Sequence, residues 1–134
     1  MYTQFGLLGY CSNIHPGEIW EEHFQELQNN VPKIKELVSP KQSFGLGLRI
    51  ANLASIELFE NPLKLQELKN WLQKQDVFVY TLNGFPFGGF HKEIVKDQVH
   101  TPDWTTFERL EYSKRLAQIL VQILPETLQT AGLS

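Results

Sequence analysis

Three times along this 134-residue chain a short apolar run gives way to a segment whose large apolar residues recur at helical spacing. That alternation limits the folds open to it more than any other feature. The apolar runs are Phe5 to Tyr10, Phe44 to Ile50 and Val77 to Thr81. The last, Val77-Phe78-Val79-Tyr80-Thr81, is wholly branched or aromatic, the profile of a parallel strand buried on both faces. In Phe44 to Ile50 large residues alternate with glycine, so a neighbour can approach one face closely. After the first run, Trp20, Phe24, Leu27, Val31, Ile34 and Val38 step by fours and threes, which places them on one helical stripe. Pro32 lies within this stripe, predicting a kink or two helices with Asn29 or Asn30 capping the second. A short helical piece runs from about Ala51 to Phe59. Asn61-Pro62 then starts a helix that buries Leu65, Leu68, Trp71 and Leu72 and closes at Asp76. Thr105 and Glu108 make a capping box ahead of Leu116, Ile119, Leu120, Ile123 and Leu124, and Pro125 ends that helix. The tail, Leu128 to Ser134, reads as the opening of a fourth strand.

Strand-helix repeats joined this way make neighbouring parallel strands. Three such strands leave two unpaired edges, and three helices cover a doubly buried sheet only in part. Residues 1–134 are therefore expected to form one partial domain: the first three βα units of a TIM (β/α)8 barrel, cut short at the carboxyl end. A self-contained three-layer sandwich is the alternative.

Charge narrows the partners. Twelve Lys and Arg against fifteen Asp and Glu give a net charge of -3, with the basic residues scattered. Sequence-independent nucleic-acid binding needs clustered cations and is not expected. No stretch approaches the roughly 20 apolar residues that span a bilayer, and Met1-Tyr2-Thr3-Gln4 lacks a secretory n-region. A cytoplasmic protein without membrane insertion is expected. The single cysteine, Cys11, reads as a small buried filler beside the first strand tip.

In sheets wound in parallel, ligands bind outside the carboxyl ends of the strands. Those ends carry Asn13 and His15 in the first unit, Arg49 and Asn52 in the second, and Asn83, His91 and Lys92 in the third. The third tip opens into Gly84-Phe85-Pro86-Phe87-Gly88-Gly89-Phe90, a loop long and aromatic for a compact α/β unit. Amides and a guanidinium hydrogen-bond hydroxyls, while Phe85 and Phe87 offer faces on which a sugar ring can stack. His15 or His91 could carry a proton near neutral pH or ligate a metal. Each residue also has a plainer reading. His15 reads equally as a cap on the first helix, Arg49 as the partner of a carboxylate, His100 as a prop for the loop, and the phenylalanines as a cover on the core. Asp97 and Asp103 could orient a histidine, and His23 reads as a surface residue beside the apolar stripe.

Taken together, Gly9-Tyr10-Cys11-Ser12-Asn13-Ile14-His15-Pro16-Gly17-Glu18, Phe44-Gly45-Leu46-Gly47-Leu48-Arg49 and Thr81-Leu82-Asn83-Gly84-Phe85-Pro86-Phe87-Gly88-Gly89-Phe90-His91 resemble the amino-terminal part of the EboE family of metabolite-traffic proteins. Val95 to His100 and Pro102-Asp103-Trp104 extend the resemblance over essentially the whole chain. The family is similar to xylose-isomerase-like TIM barrels. The resemblance implies a bacterial gene-cluster product that handles a small metabolite, such as a sugar, polyol or aromatic precursor, alongside other proteins of its cluster. It also implies a divalent metal held by Glu, Asp and His on later strands, so these 134 residues alone would be inactive. The expected activity is metal-assisted isomerisation or epimerisation of a sugar or cyclic polyol, with His15 and His91 as proton carriers and Asn13, Arg49, Asn52, Asn83, Phe85, Phe87 and Lys92 in binding. A non-catalytic module that cradles a metabolite or a partner is the alternative.

Overall fold

The chain opens with a small antiparallel hairpin, β1 (Tyr2–Thr3) against β2 (Gly6–Leu7). Gly6 sits at φ +129, a backbone conformation that side chains other than glycine's rarely adopt. The computed structural model describes residues 2–88 and 100–134. Past the hairpin, β3 (Gly9–Cys11), β4 (Phe44–Arg49), β5 (Val77–Asn83) and β6 (Gly132–Leu133) form a four-stranded sheet in chain order, each neighbouring pair parallel. Helix α1 (Trp20–Val38) links β3 to β4, α2 (Asn52–Glu60) and α3 (Pro62–Lys74) link β4 to β5, and α4 (Phe107–Ile123) precedes β6. This is a mixed α/β fold on a parallel sheet.

Several sequence expectations need correction. The run Phe5 to Tyr10 is not one strand: Gly6–Leu7 belongs to the hairpin and only Gly9–Cys11 enters the parallel sheet. Pro32 lies inside α1 and does not divide it. Buried Trp20, Phe24, Leu27 and Val31 tie the helix to the core ahead of the proline, and Ile34 packs on the core beyond it, offsetting one missing hydrogen bond. The side-chain amide of Asn30 donates to the Glu26 carbonyl at 2.9 Å and caps nothing. At α4 the cap is Thr106, whose hydroxyl accepts from the Arg109 amide at 3.3 Å, while Thr105 turns back to Asp103. The start of α3 is as read. Asn61 Oδ1 accepts from the amides of Leu63 and Lys64 at 3.1 and 3.4 Å, with Pro62 in the first turn. Asn61→Ala should cost about 1 kcal/mol, seen as a lower urea midpoint at unchanged slope.

The core uses one face of the sheet. Leu46, Leu48, Val79 and Leu82 join Leu27, Leu58, Leu68 and Leu116, so all four helices contribute to a single hydrophobic cluster. β5 is thus half-buried and not covered on both faces: Val77, Val79 and Leu82 are buried, whereas Phe78, Tyr80 and Thr81 are partly exposed. On this second face the alternating glycines find their reason. Register shifts between Leu46 and Gly47, which pair with Val79 and Thr81, so Tyr80 is left as a bulge. Its ring lies across Gly45 to Gly9. A Cβ on Gly9 would stand 2.4 Å from Tyr80 Cε1 and 2.7 Å from the Gly45 carbonyl oxygen, and one on Gly45 would stand 3.2 Å from the ring. Glycine provides a floor on which a side chain of β5 crosses β4 to reach β3.

A candidate site at the carboxyl ends of the strands

One register step further along the sheet, the same floor admits an amide. Cys11 and Thr81 both pair with Gly47, and a Cβ there would lie 3.8 Å from Asn83 Nδ2. Asn83 therefore reaches over β4 and donates to Asn13 Oδ1 at 2.8 Å, 70 residues away in sequence, and to Cys11 Sγ at 3.1 Å. The Cys11 thiol donates to the same Asn13 oxygen at 3.0 Å. From the far edge, the Ser134 hydroxyl donates to Asn83 Oδ1 at 2.6 Å. The ends of β3, β5 and β6 thus meet in one polar cluster of two half-buried amides with an exposed thiol and an exposed hydroxyl. Cys11 is exposed, contrary to the reading of it as a buried filler. Tyr80 borders this cluster, and burial, followed by the proximity of Cys11, raises its pKa.

Arg49 is brought to the same end, paired in register with Asn83, but its head group is turned inward. Only 1% of it is exposed. Nη1 donates to the Gly17 carbonyl at 3.2 Å and Nη2 to the Gly88 carbonyl at 2.6 Å, while Nε is buried without a hydrogen-bond partner among the described residues. Asn52 is also committed to structure. Its backbone amide donates to the Phe87 carbonyl at 2.8 Å, and its side-chain oxygen accepts from Arg115 Nη2 at 2.7 Å. On α4, Arg109 donates to the Gly84 carbonyl at 2.7 Å. The turn 84–88 is thus held from both ends by guanidinium groups. Phe87 is partly buried and packs edge-on against buried Tyr112, ring centroids 4.9 Å apart, so its ring is engaged with the core. Phe85 is 38% exposed and stacks on His100 at 5.3 Å, with its carbonyl 3.5 Å from Asn13 Nδ2.

His15 does not face this cluster. Its Nε2 is 2.6 Å from the Tyr10 hydroxyl and its Nδ1 is 3.3 Å from Glu26 Oε2 on α1. Tyr10 alternates with Gly9 and Cys11 along β3 and stacks on Phe44, so the triad lies on the helix side of the sheet. With Nδ1 protonated toward the carboxylate, Nε2 accepts from the phenol, an arrangement that fastens β3 to α1. Burial, then Cys11 and Glu26, raises the Tyr10 pKa. His23, read as a surface residue, is buried with 6% exposed, and its Nε2 accepts from the Ala51 amide at 3.3 Å. His91 and Lys92 lie outside the described residues, as does Asp97.

Of the residues expected at the mouth, Asn13 and Asn83 meet directly, Arg49 stands behind them, and Phe85 borders them. Sequence reasoning missed Cys11, Tyr80, Arg109 and Ser134 as part of this end of the sheet. The placement of Cys11 beside a strand tip was a usable signal. Arg109 had none, because a helix-borne arginine looks solvated until its neighbours are known.

What the fold and site define is a mixed α/β protein with a polar cluster at the carboxyl ends of its parallel strands. Neither known family models, nor curated proteins, nor solved structures yield a match to this chain. Among the described residues no helix is long and apolar enough to cross a membrane. Among those same residues no three His, Cys, Asp or Glu side chains are grouped so as to hold a metal ion. The divalent metal that the family resemblance implies on later strands has no such group of ligands among the described residues.

Proposed function

We propose that this chain is a cytoplasmic metabolite-traffic protein of the EboE type, built of consecutive βα units of a xylose-isomerase-like TIM barrel, that binds a small polyhydroxylated metabolite at the carboxyl ends of its strands. The observation that carries the reading is the Asn83 to Asn13 hydrogen bond, which joins two amides from separate units at the end of the sheet where such folds bind ligands. An amide presents both donors and an acceptor, so two of them, with the Cys11 thiol and the Ser134 hydroxyl, match the mixed donor and acceptor character of a sugar or cyclic polyol. Phe85 and His100 border the cluster as a stacking surface.

Binding of a metabolite is better supported than its isomerisation or epimerisation. Of the two expected proton carriers, His15 is engaged with Tyr10 and Glu26 on the helix side and His91 lies outside the described residues, while His100 stacks on Phe85 at the border of the cluster. Partnership with other products of the same gene cluster follows from the resemblance alone and belongs to this proposal.

The test is titration of the full chain with xylose and with myo-inositol in phosphate-free buffer, following the side-chain amide NMR signals of Asn13 and Asn83. Saturable movement of these signals is expected, with affinity about tenfold weaker in Asn83→Ala, as loss of one or two hydrogen bonds predicts. Amide signals that stay still with both compounds at their solubility limits would overturn the reading.

A further inference from the structure

Behind the amide cluster lie buried guanidiniums that make no ion pair among the described residues, although the Glu18 carboxylate acts on Arg49 from beyond ion-pair distance. Arg49 is 1% exposed and Arg109 is 7% exposed. Among the described residues each Nε is buried without a hydrogen-bond partner. Their hydrogen bonds go to backbone carbonyls, Gly17 and Gly88 for Arg49 and Gly84 for Arg109, and the Arg109 guanidinium also lies over the Tyr112 ring, 5.6 Å from its centroid. Among the described residues neither makes an ion pair. Arg115 adds a third cation on α4, bound to the neutral Ser55 hydroxyl and Asn52 amide.

All three guanidiniums act on one phenol, Tyr112, and still do not ionise it. Burial pushes its pKa up to about 12 although each arginine pulls it down, and its hydroxyl donates to the Ile50 carbonyl. Carbonyl oxygens satisfy N–H groups but do not neutralise a cation. Buried arginines in proteins are ordinarily paired with an anion, because leaving water unpaired costs several kcal/mol per ion. A guanidinium with open N–H groups is also the side chain best shaped to grip a carboxylate or phosphate.

We infer that Arg49 and Arg109 line a binding site for the oxyanion group of a small metabolite, placed between the turn 84–88 and the first turns of α4. This rests on the proposed function only in locating ligand binding at that end of the sheet; it adds that the metabolite carries a phosphate or carboxylate. Trp104 roofs the site, its ring centroid 4.7 Å from the Arg109 guanidinium carbon and its side chain 70% exposed. An arriving anion therefore meets Arg109 beside an indole that reports on it.

Two readouts test this on the full chain. Inorganic phosphate and, separately, acetate are titrated at constant ionic strength set with sodium chloride, following Trp fluorescence and the thermal unfolding midpoint. A saturable change in both readouts is expected for at least one of the two, and which one responds distinguishes a phosphate from a carboxylate ligand. Arg109→Gln should weaken the apparent affinity about tenfold or more, Arg109→Lys should retain part of it, and Trp104→Phe should abolish the fluorescence change while leaving the midpoint shift. Should Arg49→Gln fail to fold, the wild-type titration and the Arg109 pair still decide the matter. If neither anion stabilises the chain beyond chloride, or if Arg109→Gln lowers the midpoint equally with and without anion, the arginines only clamp the turn and the inference falls. Failure here leaves neutral polyol binding standing, because that titration is run without phosphate. Polyol signals that stay still while phosphate saturates would remove the earlier reading and keep this one.

Discussion

Between pH 7.5 and pH 5 the wild-type chain should lose about 2 kcal/mol of folding stability that a His23→Gln variant keeps. His23 is buried against the start of α2, and its Nε2 is an acceptor for the Ala51 amide, so the folded chain holds it neutral. Burial first, and the nearby Arg49 charge second, lower its pKa from 6.5 to about 4, with Glu22 pulling the other way. The folded pKa lies below the unfolded one, and the unfolded chain therefore binds the proton first. The stabilising contribution is complete above about pH 6.5 and drains away as pH falls toward about 4. Glutamine keeps an acceptor for Ala51 but has nothing to titrate. Urea denaturation of both proteins at half-unit pH steps measures the difference, and most carboxylate titration lies below this window. Parallel stability curves for the two proteins would show that His23 is not the group responsible.

Gly9→Ala should destabilise the chain by roughly 1–3 kcal/mol, and by more than Gly45→Ala. The added methyl at Gly9 meets the Tyr80 ring at 2.4 Å and the Gly45 carbonyl oxygen at 2.7 Å. A ring can turn aside; a backbone oxygen in a parallel ladder moves only with its strand. At Gly45 the contacts, 3.2 Å to Tyr80 and 3.5 Å to Phe78, are both side-chain atoms. Tyr80→Ala should therefore erase the cost of Gly45→Ala in a double-mutant cycle and recover only part of the cost of Gly9→Ala. Equal costs for the two single variants, or full rescue of Gly9→Ala, would contradict the picture of Tyr80 lying across a glycine floor.

That floor shows how sequence and structure divide the information. The alternation in Phe44-Gly45-Leu46-Gly47-Leu48-Arg49 announces a close approach, since a glycine on every second residue leaves one sheet face without side chains. What approaches cannot be read from it. Tyr80 and Asn83 cross there because β4 happens to lie between β5 and β3, and because a bulge shifts the register by one residue at Gly47. A one-residue shift exchanges the faces of every following side chain, and no local pattern in Val77 to Asn83 records it. The same holds for the histidines. Spacing along the chain puts His15 near a strand tip, but the side on which it emerges depends on Glu26, one helix away.

Local chemistry was enough for the order of strands and helices past the amino-terminal hairpin, for the Asn61 cap with its neighbouring Pro62, for the parallel neighbours in chain order and for the approach of the Asn13 and Asn83 tips, because periodicity, capping and short right-handed connections act over a few residues at a time. Only the folded chain decided that His15 faces the helices, that His23 is buried, and that Arg49 and Arg109 share the carboxyl end of the sheet with no ion pair among the described residues. Those outcomes turn on which side chains from distant segments exclude water together, and burial of that kind is a property of the packed whole.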